Sequence, residues 1–149
     1  MRASAALLTL LLAALLAGCG PSSGGSVEFD HDLKNAVVDL AGSGGSRPLR
    51  ELAPGDWTAV HVLTGPASGA RIERELGLPV EVAGDGTYGG DYVQDGNLLV
   101  FLRDDEVSRM VSLGQLAALG DGRYGADVVL EAQDGAIRMI DPDEGASAD

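Results

Sequence analysis

The chain has 149 residues and sets 23 aspartates and glutamates against 10 lysines and arginines, a formal charge of −13. That balance excludes nucleic acid as an expected partner, because phosphate backbones are bound through a basic patch that displaces counterions. One cysteine, Cys19, leaves no internal disulfide and no multi-thiolate metal site.

In chain order, Arg2 precedes an apolar run from Ala5 to Ala17 that is too short to span a bilayer as a permanent helix. Small residues close it, the pattern of a secretory signal. The four residues Leu16-Ala17-Gly18-Cys19 resemble the lipobox of bacterial lipoproteins. The resemblance implies cleavage after residue 18 and a diacylglycerol thioether on Cys19, whose acyl chains each contribute about 0.8 kcal/mol per buried methylene to membrane binding. It implies a cell-membrane location, lipid-anchored on the extracytoplasmic face, with the bilayer as a partner through Cys19. Gly20 is not the aspartate associated with inner-membrane retention, so an outer-membrane location fits a host with two membranes. Cleavage would leave 131 residues of formal charge −14, one domain's worth of chain.

Residues 19–27 read as the lipidated cysteine and a Gly/Ser-rich tether, 28–141 as an α+β domain and 142–149 as a disordered acidic tail with nothing to bury. Leu33, Ala36, Val37 and Leu40 fall at i, i+3, i+4 and i+7, which predicts an amphipathic helix capped by Asp30 and stopped at Gly42. Leu49 to Leu52 allows one helical turn. Trp57 to Thr64 is β-branched and aromatic, apolar on both faces, and so predicts an interior strand. Gly65-Pro66 ends it. Ser68 to Leu76 predicts a second helix, with Ser68 as its cap, Ile72 and Leu76 inward, Arg71 and Glu75 paired outside and Gly77 as its stop.

From there the chain alternates turns and strands. Asp-Gly at 85–86, 95–96, 121–122 and 134–135 marks turns, and strands are expected near Asp91–Gln94, Asn97–Arg103, Glu106–Leu113, Ala126–Gln133 and Ala136–Ile140. The fold class that follows is α+β: a single domain with a mainly antiparallel sheet of about four to six strands and two short amphipathic helices.

Residues 84–93 (GDGTYGGDYV) and 120–129 (GDGRYGADVV) agree at seven of ten positions, and each is followed by Gln-Asp-Gly. This predicts two related hairpins, with Tyr88 and Tyr124 at matching places as an interaction surface. Both segments spell G-x-G-x-x-G, but a dinucleotide site needs those glycines to open a helix, and both lead into β-like sequence. No cofactor is expected.

The remaining polar residues suggest structure before chemistry. Trp57 reads as a core anchor. His61 alternates onto the face of Trp57 and Leu63, as a buried, hydrogen-bonded neutral imidazole. His31 lies between Asp30 and Asp32, which point different ways around a helix and do not converge on a metal. No segment carries the spaced oxygen ligands of a calcium loop. No G-x-S-x-G is present. Lys34, the only lysine, is expected on the solvated side of its helix. Arg109 falls opposite Val100 if the preceding loop has two residues and opposite Phe101 if it has three, its stem on the core and its head in water.

The stretch from Gly55 to Pro66, then Ile72 to Gly77, then Leu98 to Leu102, resembles a segment of small bacterial envelope lipoproteins and secreted proteins with no established activity. It implies a compact α+β envelope domain and transfers no functional residue. A second resemblance is to the small outer-membrane lipoproteins of the SmpA/OmlA type, which aid barrel assembly and place two helices before a three-stranded sheet. This chain departs from that order, since Trp57–Thr64 lies between its helices.

The expected function is a non-catalytic binding module of the cell envelope whose partner is an envelope protein or glycan. Two alternatives stand beside it. One is an envelope hydrolase with an acid–base pair drawn from Asp85, Asp91, Asp121 and Asp127. The other is an assembly accessory or inhibitor, which an exposed apolar groove would favour.

Overall fold

The computed structural model describes residues 25–142. Residues 1–24, which include the expected signal segment, Cys19 and most of the expected tether, and residues 143–149 lie outside the described residues. The elements in order are β1 (Val27–Phe29), α1 (His31–Ser43), β2 (Gly45–Pro48), α2 (Leu49–Leu52), β3 (Ala59–Thr64), α3 (Gly69–Leu76), β4 (Thr87–Tyr88), β5 (Asp91–Tyr92), β6 (Asn97–Arg103), β7 (Glu106–Ser112), β8 (Gly122–Gly125), β9 (Val129–Gln133) and β10 (Ala136–Ile140). The fold is α+β. A five-stranded sheet runs β1-β7-β6-β3-β8, a three-stranded sheet β10-β9-β2, and β4-β5 form a separate ribbon. Within the five-stranded sheet only β1 and β7 are parallel.

Two cores share the central strands. Val60, Val62, Leu99, Phe101 and Val111 face one core, closed by Leu33, Val37 and Leu40 of α1 and by Leu130 and Ile137 of the small sheet. Ala59, Leu63, Leu98, Val100 and Leu102 face the other, closed by Ile72 and Leu76 of α3 with Val80, Val82 and Tyr92. Successive side chains of a strand point to opposite faces, so β3 and β6, covered on both, are mostly apolar on each.

Asp30 caps α1 through Oδ1, which accepts from the Leu33 amide at 2.8 Å. The helix does not stop at Gly42. It continues to Ser43, and Gly44 at φ +79° ends it, donating its N–H to the Leu40 carbonyl. A helical glycine costs only about 1 kcal/mol relative to alanine, so Gly42 weakens the last turn without breaking it. The cap at Ser68 and the left-handed Gly77 that close α3 are as the sequence predicts.

The β6–β7 connection combines a short loop with an irregular strand. Asp104 and Asp105, both at positive φ, make a two-residue turn between the paired Arg103 and Glu106. A register shift after Leu102 then leaves Ser108 unpaired and sets Arg109 opposite Phe101, the register that loop counting alone assigns to three residues. The Ser108 hydroxyl donates to the Phe101 carbonyl at 3.1 Å.

The two similar segments do not form related hairpins. Residues 84–93 turn back on themselves, pairing Thr87 with Tyr92 and Tyr88 with Asp91. Residues 122–125 instead pair with β3 as the edge of the main sheet, and the strand expected from Ala126 begins at Val129. Asp134-Gly135 turns β9 into β10, whereas Asp95-Gly96 leads from β5 to a strand of a different sheet. Pairing partners, rather than local sequence, decide the outcome: β3 offers residues 122–125 an open edge, while Tyr92 is drawn into the second core.

Candidate functional site

Tyr88 and Tyr124 are not equivalent. Tyr88 is 81% exposed on β4. Tyr124 packs against the first core and donates its hydroxyl to the Gly120 carbonyl at 3.0 Å, covering its own loop. The surface expected from the pair therefore reduces to Tyr88.

The four candidate carboxylates are held by different elements. Asp85 Oδ2 accepts from the Phe29 amide at 3.1 Å, and Asp91 Oδ1 from the Gly69 amide at 2.8 Å. Asp121 Oδ1 accepts from both the amide and the hydroxyl of Thr64, at 2.7 and 2.6 Å. Asp127 lies exposed between β8 and β9. Among the described residues no hydrogen bond or shared partner joins one of the four to another. No group of three or more histidine, cysteine, aspartate or glutamate side chains is placed to hold a metal among the described residues.

Asp121 belongs to a continuous polar network at the end of β3. Arg71 reaches it from α3, with Nη2 3.0 Å from Oδ2, while Nε pairs with Glu75 at 2.9 Å and Nη1 donates to the Thr64 carbonyl. Behind Thr64 lies Asn97, fully buried, whose amide donates to the Thr64 hydroxyl and the Leu119 carbonyl and accepts from the Leu119 amide. Tyr92 is also fully buried, its hydroxyl 2.7 Å from Ser112 Oγ, and burial raises its pKa above the ordinary phenol value. These groups satisfy one another and present no free donor or acceptor set.

Trp57 is the anchor its sequence position predicts: Nε1 donates to the Ala53 carbonyl at 2.8 Å, and the ring lies 5.2 Å from Phe101 with the Arg50 guanidinium over its face. It belongs to the first core, however, not to the face of His61 and Leu63, because it precedes β3 and does not follow the strand's alternation. His61 is buried between Val100 and Arg123, and its ring makes no side-chain hydrogen bond among the described residues. Burial, and next the charge of Arg123, hold its pKa below the ordinary histidine value.

Two recesses among the described residues adjoin Tyr88 and Lys34. A broad groove of about 540 Å³ separates Gly69 and Glu73 of α3 from Val80 and Glu81, and the Gly89-Gly90 turn beside Tyr88 rims it. A smaller pocket of about 230 Å³ lies at the start of α1, lined by Phe29, His31, Lys34, Gln94, Leu113 and Gln115. Lys34 is half-buried there instead of solvated. Its Nζ and the Phe29 ring edge approach Gly114 from the open side, 4.0 and 3.6 Å from where a Cβ would stand. The pocket residues come from three separate stretches of chain, 29–34, 94 and 112–115, which is why sequence spacing gives no signal for it.

Comparison with protein-family models, with curated proteins and with solved structures found no match to this chain. No helix among the described residues is long and apolar enough to cross a membrane.

Proposed function

We propose that this is a lipid-anchored extracytoplasmic lipoprotein whose residues 28–141 form a single domain acting as a non-catalytic binding module of the cell envelope. Leu16-Ala17-Gly18-Cys19 supports the anchor, and the short tether after it keeps the domain near the bilayer. The binding role rests on Tyr88. An 81% exposed phenol on a ribbon whose glycine turn rims a 540 Å³ groove offers rigid, amphipathic contact area of the kind enriched at interface centres.

Photo-crosslinking in the native envelope tests this. A photoreactive phenylalanine analogue replaces Tyr88 in the full chain, and the same analogue at Tyr124 serves as the control. A discrete adduct at position 88 and none at 124 is the expected result. Equal labelling at both positions refutes the binding role. Cys19→Ser tests the anchor separately, since it should move the protein out of the membrane fraction.

A further inference from the structure

The pocket at the start of α1 holds a half-buried cation without a carboxylate partner among the described residues, whereas Arg50, Arg74 and Arg138, which also stand outside ion pairs, are exposed. Carboxylates outnumber cations by more than two to one, and five arginines stand in ion pairs. Lys34, the only lysine, is half-buried beside Gly114 and Phe29, yet it has no carboxylate within ion-pair distance among the described residues. The one carboxylate in the pocket wall, Asp30, is already engaged, with Oδ1 on the Leu33 amide at 2.8 Å and Oδ2 on Arg109 at 2.6 Å. The Lys34 charge therefore faces a recess with no compensating anion.

Other donors line the same recess. His31, Gln94 and Gln115 make no side-chain hydrogen bond among the described residues, and each carries an N–H. A planar arginine fork, the usual partner of a carboxylate, is missing because Arg109 is spent on Asp30. An ammonium with three rotatable donors, surrounded by dispersed single donors, suits a tetrahedral oxyanion. Phe29, 39% exposed, and Leu113 add an apolar wall, and 230 Å³ leaves room for carbon beyond the anion. The helix terminus is not the seat, since the Asp30 side chain already occupies its Leu33 amide.

We infer that this pocket binds a phosphate ester, with Lys34 as counter-ion, Gln94, Gln115 and His31 as donors and Phe29 against the organic part. A membrane-lipid headgroup and a soluble phosphate ester share this chemistry. β1 enters the sheet only two residues before Phe29, so a lipid headgroup is the nearer source if the proposed anchor holds.

Because Lys34 is the only lysine, its acetylation by an amine-reactive ester can be followed at one site in the full chain. Glycerol phosphate and inorganic phosphate should slow that modification at least fivefold in detergent, and acetate at equal ionic strength should not. The phosphorus resonance of glycerol phosphate should shift on adding protein, with affinity about ten- to a hundredfold weaker for Lys34→Gln, the loss of one charged hydrogen bond. Reconstitution into phospholipid vesicles without soluble phosphate identifies the source: protection there assigns the lipid, and protection by the soluble ester alone assigns a free metabolite. Equal protection by acetate, no protection at all, or an unchanged affinity in Lys34→Gln overturns the inference. The anchor is tested apart, by Cys19→Ser, so its failure leaves the soluble-phosphate result intact.

Discussion

Asp30 and Arg109, 79 positions apart, join the start of α1 to the middle of β7 through an Nη2–Oδ2 contact of 2.6 Å. The same carboxylate caps the helix with its other oxygen. One side chain thus fixes both where the helix begins and where it lies on the sheet.

The two roles can be separated. Asp30→Asn keeps a capping oxygen and loses the charge pair, and with Arg109 39% exposed it should cost under about 1 kcal/mol. Asp30→Ala loses both and should cost about 1–2 kcal/mol more from the cap alone. Urea denaturation midpoints of the two variants against the parent measure the difference, and equal losses would contradict the capping role.

Asn97 should be the most sensitive polar residue. Asn97→Ala leaves the Leu119 amide and carbonyl without their partner in the interior, a loss of about 2–4 kcal/mol. By contrast Arg47→Ala, which breaks an exposed pair with Glu51, should change stability by less than about 0.5 kcal/mol. Thermal melts of both variants test the contrast.

Two glycine substitutions should act with opposite sign. Gly42 sits inside α1 with open space where a Cβ would go, so Gly42→Ala should stabilise by about 0.5–1 kcal/mol. A Cβ at Gly96 would overlap the Gly114 carbonyl, so Gly96→Ala should destabilise by about 2–4 kcal/mol. Calorimetric melting temperatures moving in opposite directions are the expected result.

His61 predicts an acid-sensitive window. Burial lowers its folded pKa below the ordinary 6.5, so the unfolded chain takes up the proton first. Stability is full above pH 6.5 and falls as the pH drops from there through the lower folded value. Asp56, held below its ordinary 3.8 chiefly by the hydrogen bond from Arg103, loses its contribution only below pH 3.8, so the two windows are distinct. Denaturation at a series of pH values should show the His61 limb in the parent and a flatter one in His61→Leu.

Local features were legible in the sequence wherever one residue's chemistry settled the matter. Asp30 and Ser68 as caps, Gly77 as a left-handed stop, the Arg71–Glu75 pair and the bounds of β6 and β10 follow from periodicity and capping alone. Other features are hidden from the sequence because tertiary partners decide them. Residues 122–125 become a sheet edge because β3 has an open side, and Trp57 changes core because it lies ahead of β3, with Thr58 between. The bulge at Ser108 was equally hidden, since an unpaired residue leaves no mark on a hydrophobic pattern. The Lys34 pocket draws on residues far apart in the chain, which no local pattern can bring together.

The first described strand also determines how the molecule carries load. Val27 donates to the Ala83 carbonyl and accepts from the Asp85 amide on one side of β1, while β7 pairs with it in parallel on the other. Tension applied to the residues ahead of Val27 runs along the strand and across these bonds, so they must yield together in shear and cannot open one by one. Under the proposed anchoring, a pull from the membrane would meet these bonds in shear.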